Sequence, residues 1–435
     1  MSTFEIRDAV HVFVRLDGHE RAIVDSWPLQ RLRHVHQLAL TDRVYPGATH
    51  SRFEHSLGTM ELAGRVFDIV TRADNLTDEV RRAFPQLRDP TELAYWRRVL
   101  RVAALCHDIG HPPYSHAAEK ALYPTGWNHE RMTRLLLESE PLCAMLGDST
   151  PPLRIDDVVK LAVGPAKATG LSLSNWEAIL SEIIVGDAFG VDRMDYLLRD
   201  SLHAGVVYGR FDQDRLIDTL RILPAGADAT EFALGIEHGG LHTAEALLLA
   251  RYFMYSQVYF HAVRMVLDLH LIDFLRAWLP GGGLPTETRA HLALTDDTVF
   301  SAMQAALLNE ESALYVQARR ILGRHHFRVL HQISPDDRKL HIDPAGAIAT
   351  AAVTEFGAEH ILQERRFDQG GSVVFPVRQR DGSIGSSLSL SVPLRELPPI
   401  SADYIFVSPD QAARARTWLL ANRTAILAVE EAPHG

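Results

Sequence analysis

The segment from His107 to His116, which reads HDIGHPPYSH, is the strongest chemical feature of this 435-residue sequence. His107 and Asp108 are adjacent at the end of an apolar stretch, and imidazole with carboxylate is a ligand combination that binds divalent metals well. Two ligands do not complete a site, so further ligands must come from other segments. The best candidates are His55, in RFEH, and Asp192, in VDRMDY. Each residue alone has an ordinary structural explanation, but the ordered pattern H…HD…D predicts a metal site.

A second group of polar residues follows the HD pair. His116 and Glu119 are three residues apart, so one face of a helix can carry both. A histidine that is held by a carboxylate is a suitable general acid or base near neutral pH. His111 and His129 complete this cluster, although each could instead be an ordinary hydrogen-bonded side chain.

Two later segments carry residues that are suited to a nucleotide. Helix positions i, i+4 and i+8 lie along one stripe, and two such series are present: Asp192, Tyr196 and Asp200, and then Arg251, Tyr255 and Tyr259. Arg193 adjoins the first series. A guanidinium matches phosphate oxygens in a bidentate geometry, and a carboxylate with a tyrosine can bracket a sugar hydroxyl. The alternative for the last two tyrosines is an ordinary place in the apolar core.

Helices must position most of these residues. Apolar residues recur at spacings of three and four in Thr91–His107, Asp192–His203 and Thr243–Trp278. Turns rich in proline and glycine separate such segments. One short strand is predicted at Phe232–Ile236.

The pattern changes after about residue 340. Ser372–Val377 and Ser387–Val392 alternate on either side of a turn and predict a β-hairpin. Asp403–Val407 is a further strand candidate, and Ser408 is placed to cap a final helix through about residue 422. We therefore predict a mainly α fold, with a large helical domain over residues 1–335 and a smaller C-terminal α+β lobe over residues 336–435.

Charge and composition restrict the partners. The formal net charge of −11 argues against broad nucleic-acid binding, although a few arginines can still form a local phosphate pocket. The two cysteines give no disulfide framework, and we find neither a signal-peptide pattern nor an apolar run of membrane-spanning length. We expect a cytoplasmic protein with no membrane partner.

Three segments carry a family resemblance: residues 30–60, 105–116 and 191–200. In order and in detail they resemble the HD-domain deoxynucleoside triphosphate triphosphohydrolases, both the SAMHD1-like and the bacterial dGTPase-like branches. The resemblance extends through about residue 265. It implies an HD-domain helical core in which the metal ligands are His55, His107, Asp108 and Asp192. The metal itself stays open among Mn, Fe, Mg, Co, Ni and Zn.

The resemblance also implies roles for the other polar residues. It makes His116 and Glu119 the acid–base pair, with His111 and His129 assisting or contacting phosphate. It implies a substrate site that consists of Gln37, Leu38, Arg52, Arg193, Tyr196, Asp200, Arg251, Tyr255 and Tyr259. Within that site, Gln37 and Leu38 would lie under the sugar and leave no room for a 2′-hydroxyl, since burying an unpaired hydroxyl is costly.

An effector site is less complete. Asp25, Gln30 and Arg33 match family residues that bind an activating nucleotide. The family's lysine would fall near Phe4, where this sequence has none, and Arg193 stands where the SAMHD1-like branch has lysine. A nucleotide effector is therefore a hypothesis, and the resemblance implies a homodimer or homotetramer.

The predicted reaction is hydrolysis of a deoxynucleoside triphosphate to a nucleoside and inorganic triphosphate. Two alternatives stay open. One is another HD phosphohydrolase reaction, on a nucleoside monophosphate, a ribonucleotide or a modified nucleotide. The other is a non-catalytic nucleotide sensor, which the intact H…HD…D pattern disfavours.

Overall fold

The structure is a computed structural model that describes residues 3–225, 231–368 and 373–428. It is mainly α-helical with small sheets, which confirms the predicted fold class. The α-helices of these residues are, in chain order, α1 (Gly18–Val24), α2 (Trp27–Gln30), α3 (Arg52–Val70), α4 (Asp78–Ala83), α5 (Pro90–Cys106), α6 (His116–Leu122), α7 (His129–Leu137), α8 (Leu142–Gly147), α9 (Ile155–Val163), α10 (Asn175–Val185), α11 (Val191–Ala204), α12 (Gln213–Thr219), α13 (Leu241–Met254), α14 (Ala262–Trp278), α15 (Thr288–Leu292), α16 (Asp296–Leu307), α17 (Tyr315–Ile321), α18 (Pro335–Leu340), α19 (Pro344–Phe356), α20 (Ser387–Leu390), α21 (Val392–Glu396) and α22 (Ala412–Leu427).

The strands form a hairpin and two small sheets. Their bounds are β1 (Phe4–Asp8), β2 (Val12–Leu16), β3 (Leu220–Pro224), β4 (Phe232–Glu237), β5 (Arg328–Gln332), β6 (Ile361–Asp368), β7 (Pro376–Arg378), β8 (Ile384–Ser386) and β9 (Ile400–Val407). β1 and β2 pair as an antiparallel hairpin. The order β3-β4-β7-β8 makes one sheet, in which β4 and β7 run parallel, and the order β5-β9-β6 makes an antiparallel sheet. None of the described helices has both the length and the apolar character needed to cross a bilayer.

The chain forms two compact units, each assembled from segments that are distant in sequence. The first comprises residues 1–254, 283–298 and 370–398, and the second comprises residues 255–282, 299–369 and 399–435. The domain boundary expected near residue 335 stays a prediction about independent folding.

Three helices of the first unit have well-defined ends. The Asp89 side chain accepts a hydrogen bond from the Thr91 N–H at 2.8 Å and caps α5, which ends at Cys106, directly before the HD pair. At the start of α3, the Ser51 N–H donates to Glu54 at 3.1 Å. Helix α11 ends at Ala204 and is followed by Gly205, whose φ of 71° lies in the left-handed region that favours glycine. The bounds of these helices determine where the polar residues on them, and directly after them, lie in the fold.

The second unit has its own apolar core. Ile405 and Val407 of β9 are fully buried, and they belong to the same cluster as Ala352 of α19 and Leu419 of α22. A three-stranded sheet with helices on it is the α+β arrangement that the C-terminal sequence predicted.

Two details of the predicted elements are wrong. Ser387–Val392 is not a strand, because Ser391 caps α21 through the Leu394 N–H at 3.2 Å and Ser389 bonds the Ser386 carbonyl at 2.8 Å. Such local serine bonds compete with a strand ladder. The hairpin is instead formed by β7 and β8, and the predicted strand at Ser372–Val377 begins outside the described residues. The long helix predicted over Thr243–Trp278 is interrupted by a π-helical segment at Tyr255–Tyr259.

Candidate active site

The four predicted metal ligands converge in the first unit. His55 lies on the first turn of α3, His107 and Asp108 directly follow α5, and Asp192 is the second residue of α11. His55 Nε2 lies 3.0 Å from Asp192 Oδ1 and 3.6 Å from Asp108 Oδ2. His107 Nε2 lies 3.3 Å from Asp108 Oδ1 and 3.6 Å from Asp192 Oδ1. Three separate helices therefore bring two imidazoles and two carboxylates to one point.

The imidazole rings are oriented as metal ligands are. The buried Nε2 atoms of His55 and His107 face carboxylate oxygens of Asp108 and Asp192 at 3.0–3.6 Å, without the geometry of a hydrogen bond. Their Nδ1 atoms are engaged, by Asp195 Oδ2 at 2.8 Å and by the Ala104 carbonyl at 2.7 Å. A ligating histidine characteristically donates its other ring N–H to a carboxylate or a carbonyl, which leaves the free nitrogen's lone pair for the ion. This donor set could hold a divalent cation, and its nitrogen and oxygen atoms do not select one metal.

The charges around the site favour a cation. Burial alone would lower the pKa of His55, but the adjacent carboxylates of Asp192 and Asp195 raise that pKa to about 10. Without a metal His55 therefore carries a proton, which a bound cation would have to displace. Burial alone would raise the pKa of Asp108, yet Arg52 and His107 hold it well below its usual range. The carboxylates are therefore ionised at neutral pH, as metal ligation requires.

Arg52, predicted to bind substrate, lies beside the ligands. Its Nη1 donates to Asp108 Oδ2, and its Nε donates to Ser115 Oγ at 2.7 Å. The residue is only 3% exposed. In the structure it neutralises part of the ligand charge and ties Asp108 to the loop before His116.

The predicted acid–base residues form a second cluster. Glu119 Oε2 lies 2.9 Å from His116 Nδ1, and Glu119 Oε1 lies 2.8 Å from His129 Nδ1. The rings of His111 and His129 stack with their centroids 3.9 Å apart. Burial would raise the pKa of Glu119, but its bonds to His116 and His129 lower that pKa below its ordinary value. Glu119 is therefore an ionised acceptor that fixes two imidazoles at once.

Close backbone packing places this cluster. A Cβ on Gly110 would lie 2.1 Å from the His129 carbonyl oxygen and 2.4 Å from the Thr133 nitrogen, so only glycine lets α7 approach the HD loop. Tyr114 and Ser115 have φ values of 55° and 58°, a left-handed conformation that is strained for side-chain-bearing residues. The strained turn starts α6 so that His116 is its first residue.

The two clusters are adjacent. His111 Nε2 lies 3.3 Å from Asp108 Oδ1, so a predicted metal ligand also contacts the histidine cluster. The side chains of His55, His107 and Asp108 are at most 6% exposed, whereas that of Asp192 is 35% exposed and that of His116 is 61% exposed. The site therefore opens to solvent at Asp192 and His116.

The predicted sugar-binding residues lie near a histidine that the sequence did not single out. Asp200 Oδ1 is 2.7 Å from His50 Nε2, and both side chains are buried. The Gln37 N–H donates to the His50 carbonyl at 3.0 Å, and Leu38 is 7% exposed. His50 thus connects the Gln37 segment to α11.

The remaining predicted substrate residues are distributed over both units. In the first unit, Arg193 and Tyr196 lie on α11 and Arg251 lies on α13, all half-buried. Tyr255 and Tyr259 belong to the second unit, where their rings meet edge to face with centroids 4.9 Å apart. The role of each at a nucleotide stays a prediction.

The three predicted effector residues differ in their contacts. Gln30 Oε1 accepts from Arg33 Nε at 2.8 Å, and Gln30 Nε2 donates to the Val24 carbonyl at 2.8 Å. Asp25 instead contacts Arg21 at 3.4 Å. The Arg33 guanidinium lies 3.6 Å from the ring centroid of Phe53.

Sequence reasoning missed the residues that hold His55. Asp195 is fully buried and bonds His55, His11 and Arg199, and Arg199 in turn bonds Asp8. The sequence spacing could have identified Asp195, because this residue follows Asp192 by three positions and so lies on the same helix face. No local pattern could have identified His11 and Asp8, since their partners lie more than 180 residues away.

Family models match two regions of this chain. The HD domain matches residues 52–163, and the HD associated region matches residues 211–355.

Several curated proteins are similar to the chain. An uncharacterised protein of Methanocaldococcus jannaschii is 35% identical over 263 residues, which are 60% of this chain and 47% of that protein. The human deoxynucleoside triphosphate triphosphohydrolase SAMHD1 is 29% identical over 297 residues, which are 62% of this chain and 44% of that enzyme. The chain spans about half the length of the curated relatives it matches.

The architecture recurs in solved structures. A hypothetical protein from Aquifex aeolicus superposes with a TM-score of 0.77 at 30% identity, over 96% of this chain and 100% of that one. A phosphohydrolase from Bacteroides thetaiotaomicron superposes with a TM-score of 0.69 at 22% identity, over 94% of this chain and 100% of that one, and shows the fold alone.

Proposed function

Since this chain belongs to the HD-domain phosphohydrolase superfamily, we propose that it hydrolyses a deoxynucleoside triphosphate to a deoxynucleoside and inorganic triphosphate. The observation that carries the proposal is the adjacency of two clusters. One is formed by His55, His107 and Asp108 with Asp192 beside them, and the other by His111, His116, Glu119 and His129. Asp108 Oδ1 and His111 Nε2 lie 3.3 Å apart and join the two clusters. Similarity to triphosphohydrolases over 61–62% of the chain supports the choice of substrate.

In this proposal the quartet His55, His107, Asp108 and Asp192 holds the metal. A divalent cation there would supply a Lewis acid for phosphoryl oxygens. Asp192 is the partly exposed member of this set and would leave one side of the site open to solvent. Manganese is the first ion to test.

His116 is the proposed acid. Water adds to the α-phosphorus, the bond from that phosphorus to the 5′-oxygen breaks, and His116 gives its proton to the leaving 5′-oxygen. Glu119 orients the imidazole by its bond to Nδ1, so Nε2 faces away from the carboxylate. The His116 side chain is 61% exposed and therefore accessible to a substrate.

The other predicted residues complete the proposed site. Arg193 and Arg251 are proposed to neutralise developing phosphate charge, with Tyr196 alongside them. Gln37, Leu38 and Asp200 are proposed at the deoxyribose, where the His50 bond would fix the Asp200 carboxylate. We propose the same residues as the basis for discrimination against ribose. Tyr255 and Tyr259, a nucleotide effector at Asp25, Gln30 and Arg33, and a homodimeric or homotetrameric state remain part of the proposal.

The test is product identification. The full chain, supplied with Mn, Mg or Co in turn, is incubated with each dNTP and NTP, and products are resolved by chromatography. Asp108→Ala removes a ligand and should abolish turnover. Asp297→Ala, a matched carboxylate whose side chain is 68% exposed and paired with His34, should not.

Deoxynucleoside plus triphosphate, lost in Asp108→Ala alone, is the expected result. Free phosphate or nucleoside monophosphate would indicate a different HD reaction. An absence of turnover with single nucleotides and with nucleotide mixtures would contradict the enzymatic proposal.

A further inference from the structure

The N-terminal hairpin contributes two buried polar residues to the first unit. β1 ends at Asp8 and β2 begins at Val12, so His11 lies in the short turn between them. The side chains of Asp8 and His11 are 3% and 2% exposed. A surface hairpin does not need two buried polar side chains for its own stability, and each must be paired to offset its desolvation.

Both residues bond to a network that ends at a proposed metal ligand. His11 Nε2 lies 2.6 Å from Asp195 Oδ1, and the other oxygen of Asp195 lies 2.8 Å from His55 Nδ1. Asp8 Oδ2 accepts from Arg199 Nη1 at 2.9 Å, and Arg199 donates to both oxygens of Asp195 at 2.9 Å. Asp195 is therefore held by His11 and Arg199, and it fixes the ring of His55.

The backbone is shaped around this network. Val12 has a φ of 67°, a left-handed conformation that is costly for a β-branched residue. Asp8 Oδ1 accepts the N–H groups of Val10 and His11 at 2.9 and 2.7 Å, which closes the turn. On the other side, a Cβ on Gly58 would lie 1.9 Å from Asp195 Oδ1. The strained turn at Val12 and the absence of a side chain at Gly58 together allow Asp195 to occupy its position between His11 and His55.

We propose that the hairpin is part of the metal centre, and that His11 and Asp8 are positioning residues that set metal affinity by holding Asp195 against His55. The inference rests on the proposed metal centre. Partners that orient a ligating histidine typically change metal affinity about 10- to 100-fold when removed. Because His11 acts through Asp195, removal of His11 should lower metal affinity by an amount at the lower end of this range, about tenfold.

The experiment measures binding of Co²⁺ alone to the metal-depleted full chain, by calorimetry and by the visible spectrum of the bound ion. His11→Ala should raise the Kd about tenfold and alter the spectrum. His11→Gln, whose amide can still donate to Asp195, should recover a Kd within about threefold of the parent protein. The matched control is His34→Ala, which breaks an equally short His–Asp pair at 2.6 Å that is 48% exposed on its histidine side; its Kd should stay within about twofold.

The outcomes separate the two claims. If the parent protein binds Co²⁺ and Asp108→Ala does not, but His11→Ala matches the parent in Kd and spectrum, the positioning role is wrong and the metal centre stands. If the parent binds no Co²⁺, the metal centre is wrong and the inference falls with it. Should His11→Ala fail to fold, Asp8→Asn takes its place, because its amide would face an Arg199 donor; an unchanged Kd in that variant would overturn the inference.

Discussion

Glu119→Gln is the substitution that tests the acid–base cluster most sharply. The carboxylate lies 2.9 Å from His116 Nδ1 and 2.8 Å from His129 Nδ1, and it also accepts the His129 N–H at 2.6 Å. An amide has one acceptor oxygen, so it cannot accept from both rings. One imidazole must then accept at Nδ1, and a histidine fixed in the wrong tautomer loses its catalytic function.

The expected size follows from the geometry. General acid catalysis contributes about 10²- to 10⁴-fold, so kcat should fall by about that factor. Loss of solvent around the ring lowers the pKa of His116, whereas Glu119 raises it. The interaction energy of two opposite unit charges about 4 Å apart is about 1 kcal/mol in water and about 4 kcal/mol near a protein surface. The imidazole is 61% exposed, which favours the lower value, and loss of the carboxylate charge should lower the pKa of His116.

The assay is kcat against pH for the dNTP with the highest turnover. Below its pKa the histidine is protonated and able to act as an acid, so the alkaline limb of the profile should move to lower pH in Glu119→Gln. Glu130→Gln is the matched control, since Glu130 lies 3.5 Å from His129 and pairs with Lys167, and it should change kcat less than about threefold. A Glu119→Gln protein with the parental kcat and an unchanged pH profile would show that the Glu119 carboxylate does not orient His116 for catalysis.

Two further predictions concern stability. Gly110→Ala should lower the free energy of unfolding by about 1–3 kcal/mol and reduce activity, because its Cβ would meet α7 backbone at 2.1 Å; urea unfolding checks this against Gly18→Ala, where nothing lies within 4 Å. Burial raises the pKa of Glu182 from 4.5 to about 7, so its contribution to stability is present below pH 4.5 and is lost as pH rises through 7. Glu182→Gln, whose oxygen can still accept the Leu234 N–H, should therefore be more stable than the parent by about 3 kcal/mol at pH 8 and nearly equal in stability at pH 4.5. An equal difference at both pH values would contradict that pKa.

Much of the candidate site could be predicted because its residues lie in recognisable local sequence patterns. The HD pair lies at the end of a regular amphipathic helix, and His116 and Glu119 share a helix turn, so spacing alone brings them together. The fold class followed from the same periodicity. Asp192 and His55 were candidates from the ordered H…HD…D pattern, and the resemblance of whole segments made them the implied ligands, since no local rule joins residues 137 positions apart.

The rest depended on tertiary contacts that no local pattern encodes. His11 meets Asp195 across 184 residues, and a histidine near a chain end has no feature that separates it from a surface residue. The alternating SLSLSV segment was misread because serine hydroxyls bond nearby backbone as readily as they face solvent. The helix interruption at Tyr255–Tyr259 has no proline to signal it.

The central claim is that the two adjacent clusters direct water to the α-phosphorus of a deoxynucleoside triphosphate. The most direct measurement is turnover in H₂¹⁸O followed by mass spectrometry of both products. We expect one ¹⁸O atom in the released triphosphate, none in the deoxynucleoside, and no labelled product with Asp108→Ala. Label in the deoxynucleoside would place attack at carbon, and labelled monophosphate or single phosphate would place it at another phosphoryl bond; either result would contradict the proposed reaction.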